Sequence, residues 1–314
     1  MPNGQLVEDV FVIASKTAPK PYGNGKGFMF TMELQDAKGR IGFTYFGTPN
    51  QEEVQQFYNS LSLEQVVYVK AAVNVYRDTT SLLVNDKNSV KVLKLGEYAA
   101  EDFVRVSTRS ISEMQKELLE YVALVSDTDI RKVLEYLFVE DKTLVQAFSS
   151  SSAAMGRHHA WVGGLLEHSL NLTSLVLAAQ KRYPELNTDY LIAGALLQDI
   201  GKTRELSTGL SFKFTPEGTL IGHIVLGTQI LAEAAEKVGL PDEKRNKLLH
   251  LILSHHETKE QGSPVEPAFP EALVVALADN LDAQTASILD EIKAYEGTAE
   301  FSVRSRNHGH LYTK

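Results

Sequence analysis

Two different spacings of hydrophobic residues divide the chain. Up to about residue 95, short runs of β-branched and aromatic residues alternate with turns rich in Gly and Asp, which predicts β-strands. The predicted strands are 11–13, 28–34, 41–46, 66–70 and 81–84. A helical stretch at about 51–61 follows the third strand. This order is typical of an OB-like β-barrel, which often binds single-stranded nucleic acid. Another small β-barrel with a structural or dimerising role is the alternative.

From about residue 96 onward, apolar residues recur at every third or fourth position, which predicts helices. We expect residues 96–152 to be a helical linker or the start of a helical domain, 153–300 to be that domain, and 301–314 to be a basic tail. The apolar run 190–197 predicts a buried helix that Gly201 caps. The fold class is therefore multidomain, with an N-terminal OB-like β-barrel followed by an all-α helical bundle.

Composition narrows the functional classes. The chain has 314 residues and no cysteine, which excludes disulfides, zinc–thiolate sites and cysteine nucleophiles. With no apolar run long enough to span a bilayer, we expect a cytoplasmic protein without a membrane partner. The formal net charge of −9 argues against broad electrostatic adhesion to nucleic acid. The first 95 residues are nearly neutral, however, and can still present a basic face to a nucleic acid.

Histidines and aspartates of the helical segment carry the candidate chemistry. Seven of the nine histidines fall between His158 and His256. Buried helices seldom carry such residues unless they are paired or bind a metal. Imidazole and carboxylate ligands without thiolate suit Mn²⁺, Fe²⁺, Zn²⁺ or Mg²⁺. A carboxylate between two sets of histidines can bridge two cations about 3.5–4 Å apart, as in many phosphoesterases.

Several segments together resemble the HD-domain phosphohydrolases. They are GGLLEHSL at 163–170, AGALLQDIGK at 193–202, Gly222-His223, Ser254-His255-His256 and ADNLD at 278–282. Together with an N-terminal OB-like barrel, they most resemble the YhaM-type 3′-to-5′ exoribonucleases over nearly the whole length. The resemblance implies an HD domain at 153–300 that hydrolyses terminal phosphodiesters of single-stranded RNA and releases nucleoside monophosphates. Single-stranded DNA is a further candidate substrate, and a homo-oligomer is expected.

The resemblance also implies a ligand set for two divalent cations. Mn²⁺ is favoured, with Mg²⁺, Co²⁺, Fe²⁺ and Zn²⁺ as alternatives. The implied ligands are His168, Asp199 and Asp279 for the first ion, with Gln198 in a vacated ligand place, and Asp199, His223 and His255 or His256 for the second. Two adjacent histidines on a helix cannot both point at one cation, so both are kept as candidates. Asp199 and Lys202 are the expected catalytic residues, Lys202 by contact with a phosphate oxygen. A cation at a helix end is the alternative for Lys202.

Other residues are candidates for gripping the nucleic acid. Arg157, His158 and His159 precede the first HD helix, and Arg304 lies in the tail. In the barrel segment Phe28, Phe30 and Tyr45 are candidates for stacking on bases. Because alternate residues of a strand face the barrel core, a core position is the alternative for each aromatic residue.

Gln198 departs from the His-Asp pair of the family motif. An amide oxygen is a weak, neutral ligand compared with an imidazole nitrogen, so we expect a weakened metal site and impaired activity. Three explanations are open. The change from His to Gln is engineered or recent, or it is natural and the activity is lost or directed to another substrate. In the third, the metal site tolerates Gln198 by admitting a water molecule. Two alternative functions follow. One is a phosphohydrolase of small nucleotides, and the other is an inert protein that binds single-stranded nucleic acid.

Overall fold

The computed structural model describes residues 2–37, 39–76, 79–94, 97–98, 103, 106–154, 161–207, 212–295, 297–301, 305 and 308–314. The chain forms two compact units. The first spans Met1–Arg105 and so continues beyond the boundary predicted at residue 95. The second consists of Val106–Thr208 and Phe212–Lys314.

The first unit is built from strands and one helix. They are β1 (Leu6–Lys16), β2 (Lys20–Tyr22), β3 (Gly27–Asp36), β4 (Gly39–Phe46), α1 (Gln51–Ser60), β5 (Val66–Tyr76), β6 (Thr79–Val84) and β7 (Val90–Val92). The five predicted strands correspond to β1, β3, β4, β5 and β6. The two missed strands, β2 and β7, have three residues each, too few for an alternating pattern to show.

Strand pairing closes this unit into a barrel. β1 pairs with both β3 and β5, which joins the two ends of the sheet. The remaining path runs from β3 through β4 and β6 to β5, and only the β4–β6 pair is parallel. This is a closed five-stranded OB-like barrel, so the predicted fold class is confirmed for this unit. Its interior is filled by large apolar side chains, among them Phe30, Phe43 and Leu82.

The second unit is helical, as predicted. Its helices are α2 (Ile111–Leu124), α3 (Thr128–Glu135), α4 (Lys142–Ser150), α5 (Gly164–Arg182), α6 (Thr188–Leu197), α7 (Lys202–Glu205), α8 (Pro216–Ile221), α9 (His223–Val238), α10 (Asp242–Ser254) and α11 (Pro270–Lys293). Side chains of α2, α3 and α4 share one hydrophobic core with those of α5, α6, α9, α10 and α11. The core therefore already begins with the helices of the segment 96–152.

Helix α6 is the centre of this unit. Every residue from Leu191 to Leu197 is buried, because α5, α10 and α11 pack around the helix. Its sequence has no polar face until Gln198 and Asp199, which follow its last residue and are also buried. The polar residues that the sequence analysis singled out therefore lie at the C-terminal end of the most enclosed helix.

Helix α11 is long and apolar enough, by length and composition alone, to cross a membrane. It packs against α5, α6 and α10 and carries Asp279 and Asp282 on the side of the polar residues at the end of α6. These contacts are typical of a core helix of a globular unit. After it, residues 301–314 include β-bridges between Phe301 and Tyr312 and between Ser305 and Gly309.

Candidate metal centre

Four elements bring the polar side chains to the end of α6. His168 comes from the second turn of α5, Asp279 from α11, His223 is the first residue of α9, and His255 and His256 follow the end of α10. Gly201 allows the close approach of α9, because a Cβ atom there would lie 1.9 Å from the carbonyl oxygen of His223. Its φ of −65° is right-handed, so the predicted capping role for Gly201 is wrong. The glycine is required by packing rather than by helix termination.

A first group of ligand atoms comes from His168, Asp199 and Asp279, all within 4.8 Å of one another. The Nε2 atom of His168 lies 3.0 Å from Asp279 Oδ1 and 3.5 Å from Asp199 Oδ2. On the opposite side of the ring, Nδ1 lies 2.7 Å from Asp282 Oδ2 and donates to that carboxylate. Asp282 thus fixes the ring so that Nε2 faces the other two carboxylates.

A second group comes from His223, His255 and His256, again within 4.8 Å of one another. Here the ring orientation is set by Glu205, whose Oε1 accepts from His223 Nδ1 at 3.0 Å, and by the Ile252 carbonyl, which accepts from His255 Nδ1 at 2.7 Å. Because α10 ends at Ser254, the two neighbouring histidines are no longer on a regular helix. One ligand atom from each of them lies within 4.8 Å of His223, so both histidines stay candidates for the same ion.

Asp199 lies between the two groups. Its Oδ2 accepts from Lys202 Nζ at 2.7 Å. Its Oδ1 faces the second group, 3.6 Å from His223 Nε2 and 3.5 Å from His255 Nε2. One carboxylate oxygen is thus directed to each group, which is the arrangement expected of a bridging ligand.

Gln198 is completely buried beside the first group. Its Nε2 lies 3.0 Å from His168 Nε2 and 3.5 Å from Asp279 Oδ1. The amide donates to the carboxylate of Asp279. When His168 is protonated its Nε2–H donates to Asp279, so the contact between the amide nitrogen and the ring is then not a hydrogen bond. An amide N–H group therefore lies next to two ligand atoms of the first group.

The buried charges shift the pKa values of these side chains. Burial lowers the pKa of His168, but the hydrogen bonds that its ring donates to Asp279 and Asp282 outweigh burial and raise the pKa to about 10. Burial and the neighbouring His255 lower the pKa of His256 to about 4. Burial raises the pKa of the Asp199 carboxyl, but Lys202 and the histidines of the second group bring it well below its usual range. At neutral pH the centre therefore holds ionised carboxylates beside a neutral His256.

Unsatisfied atoms test whether a cation fits. Among the described residues, the buried atoms Asp199 Oδ1, His223 Nε2 and His255 Nε2 have no hydrogen-bond partner. Unpaired buried polar atoms are costly, and these three converge on one point. Imidazole nitrogens with a carboxylate oxygen are a typical ligand set for a divalent transition metal. The second group therefore fits a metal ion.

The predicted substrate-binding residues meet different outcomes. Phe30 and Tyr45 are buried in the barrel core, so their expected stacking on bases is wrong, because their rings already pack against each other. Phe28 on the same strand is partly exposed. Arg157, His158, His159 and Arg304 lie outside the described residues. For these four the expectation stays a prediction.

Glu205 is a functional candidate that the sequence analysis missed. It is buried and accepts hydrogen bonds from both the backbone N and Nδ1 of His223, each at 3.0 Å. The only sequence signal is a glutamate three residues after Lys202, on the spacing of one helical turn. That signal is too common to single out a residue.

Comparison with known proteins covers both units. Residues 165–284 match the family model of the HD domain. The chain is 32% identical over 308 residues to the 3′-5′ exoribonuclease YhaM of Bacillus subtilis (strain 168), covering 97% of this chain and 94% of that protein. It is 31% identical over 294 residues to the 3′-5′ exoribonuclease YhaM of Geobacillus sp. (strain WCH70), covering 92% and 87%. Among solved structures, the OB domain of Ta0387 from Thermoplasma acidophilum covers 30% of this chain and 78% of its own, at 22% identity and a TM-score of 0.23.

Proposed function

The chain belongs to the YhaM family of 3′-5′ exoribonucleases, and from this we propose that it degrades single-stranded RNA from the 3′ end in a metal-dependent reaction that releases nucleoside monophosphates. The observation that carries the proposal is the convergence of Asp199 Oδ1, His223 Nε2 and His255 Nε2, three buried polar atoms without partners among the described residues. These donors fit a divalent cation. Such a cation supplies Lewis acidity toward the phosphodiester and lowers the pKa of water.

The residues of the chain divide the remaining work. His223, His255, His256 and Asp199 would hold the cation, while Glu205 and the Ile252 carbonyl keep two of the imidazoles turned toward it. The Asp199 charge outweighs burial and raises the pKa of Lys202, which therefore stays protonated. Its side chain is 14% exposed, and its ammonium group lies 2.7 Å from Asp199 Oδ2. We assign it to a non-bridging oxygen of the scissile phosphate, where a positive charge opposes the developing negative charge.

The barrel is assigned to guiding the strand. A closed OB-like barrel in the same chain as a hydrolytic unit supports a polymeric substrate, because a phosphohydrolase of small nucleotides needs no such barrel. Phe28 is the remaining stacking candidate of the three aromatic residues. Single-stranded DNA shares the features that a stacking surface recognises, so we include it as a slower substrate.

The test uses single-stranded RNA labelled at its 5′ end, with Mn²⁺ and the full chain. We expect the chain to produce a ladder that shortens from the 3′ end, and Gln198→His to produce it faster. Gln56→His on the exposed face of α1 is the matched control and should behave as the unchanged chain. If neither the chain nor Gln198→His shortens the RNA while both bind it, the enzyme proposal fails. The binding-protein alternative, which the buried amide of Gln198 favours, would then replace it.

We also propose that the protein is a cytoplasmic homo-oligomer. The cysteine-free composition supports a reducing compartment. Leu273, Leu277 and Leu281 follow one another at intervals of four residues on α11 and are between 45% and 56% exposed. A stripe of exposed leucines on one helix supports contact with a second copy, which light scattering of the full chain would detect.

A further inference from the structure

We propose that this chain binds a single divalent transition-metal ion, held by His223, His255, His256 and Asp199, and that the amide of Gln198 takes the place of a second ion at the His168 group. The inference deepens the proposed function and rests on it for the identity of the reaction. It concerns the number and position of the ions, which can be measured without any RNA.

The two ligand groups differ in how far their atoms are already satisfied. In the second group, His223 Nε2, His255 Nε2 and the facing Asp199 Oδ1 are buried and have no partner within the described part of the chain. In the first group, His168 Nε2 lies 3.0 Å from both Asp279 Oδ1 and Gln198 Nε2. Gln198 Oε1, beside the first group, is also buried without a hydrogen-bond partner among the described residues, but it is one atom, whereas the second group leaves three that a single ion would satisfy.

The amide of Gln198 presents the wrong end to an ion. Its nitrogen, with two hydrogen atoms and no lone pair for a metal, is the atom nearest His168 Nε2 and Asp279 Oδ1. A cation shared by those two ligand atoms would face these hydrogen atoms. The Asp279 carboxylate thus accepts a hydrogen bond from the amide where it would otherwise bind a metal ion.

Turning the amide is unfavourable in this setting. Its oxygen would then take the nitrogen's place, 3.5 Å from an oxygen of the Asp279 carboxylate. The partly negative amide oxygen and the carboxylate would repel each other, and the Asp279 side chain is only 17% exposed to water that could screen them. The observed orientation keeps the donor toward the carboxylate, so we infer that Gln198 does not serve as a ligand.

The surviving site has a distinct chemical preference. Three imidazoles and one carboxylate oxygen form a nitrogen-rich set, which selects Mn²⁺, Co²⁺ or Zn²⁺ over Mg²⁺, because Mg²⁺ prefers oxygen ligands. Excess Mg²⁺ should therefore fail to displace bound Mn²⁺ from the chain.

The experiment counts ions on the full chain. The protein is stripped with EDTA, loaded with Mn²⁺, and passed over a desalting column before metal analysis and electron paramagnetic resonance. We expect one Mn²⁺ per chain with the hyperfine pattern of an isolated ion. In Gln198→His we expect two per chain with the pattern of an exchange-coupled pair, while Gln56→His on α1 should remain at one.

Two further variants locate the ion. His223→Ala should lose it, whereas His168→Gln, which keeps a donor for Asp282, should retain it. Circular dichroism shows whether each variant is folded. The ion count and the electron paramagnetic resonance spectrum of the unchanged chain test the inference without any variant. Two ions or none on the unchanged chain would overturn the inference, and so would a single ion that survives in His223→Ala but not in His168→Gln. A chain that binds one ion yet never shortens RNA would refute the proposed function and leave this inference standing.

Discussion

The two ligand groups that share Asp199 are built from similar residues and yet differ in completeness. In the His168 group, Gln198 donates a hydrogen bond to Asp279 and His168 donates one to Asp282. In the second group, buried nitrogen atoms have no hydrogen-bond partner among the described residues. Residue type alone would rank the two groups as equal. The comparison teaches that a metal site is marked by what its ligand atoms lack, because an unpaired buried donor is costly until something binds it.

The largest change in metal affinity is expected from Glu205→Gln. Glu205 orients His223, and loss of such a carboxylate typically costs about 10- to 100-fold in metal affinity. Isothermal titration with Mn²⁺ measures the change. Glu217→Gln is the matched control, because Glu217 pairs with Arg204 rather than with a histidine of the centre. An unchanged affinity in Glu205→Gln would place the ion away from His223.

A smaller effect on metal affinity is expected from Asp282→Asn, which acts on the other group. The change weakens the hydrogen bond that holds His168 Nδ1, so we expect a loss of about 1–3 kcal/mol in the free energy of unfolding. Affinity for Mn²⁺ should change far less than in Glu205→Gln. Urea unfolding and the same titration test both statements. An equal loss of affinity in the two variants would mean that both groups hold ions.

The last effect does not involve metal affinity: the free energy of unfolding of the metal-free chain should depend on pH. The pKa of His168 is raised to about 10, so between its unfolded value of about 6.5 and that value the folded chain keeps a proton that the unfolded chain has released. The stabilisation is complete below about pH 6.5 and is lost as the pH rises through about 10, with a slope of up to about 1.4 kcal/mol per pH unit. Urea unfolding in EDTA should show this slope in the unchanged chain and a shallower one in His168→Gln. Equal slopes would contradict it.

Much of the architecture was predictable because it depends on local pattern. Alternation located the five strands of the barrel and the helix between them, and the apolar run at 190–197 identified the buried helix α6. Burial of single aromatics was not predictable. Phe28 and Phe30 lie on one face of β3, yet Phe30 is completely buried and Phe28 is not, because barrel closure covers only part of that face.

The candidate site shows the same division. The sequence alone determined which residues can carry the chemistry: the spaced histidines, Asp199 and Asp279, the unusual Gln198, and the absence of thiolates. Only the tertiary structure decided how they divide the work. It paired Glu205 with His223, brought ligand atoms of His255 and His256 within 4.8 Å of one another, and turned the Gln198 amide nitrogen toward Asp279. These outcomes depend on distances between helices far apart in the chain, and on burial that makes each unpaired atom costly, which residue spacing does not encode.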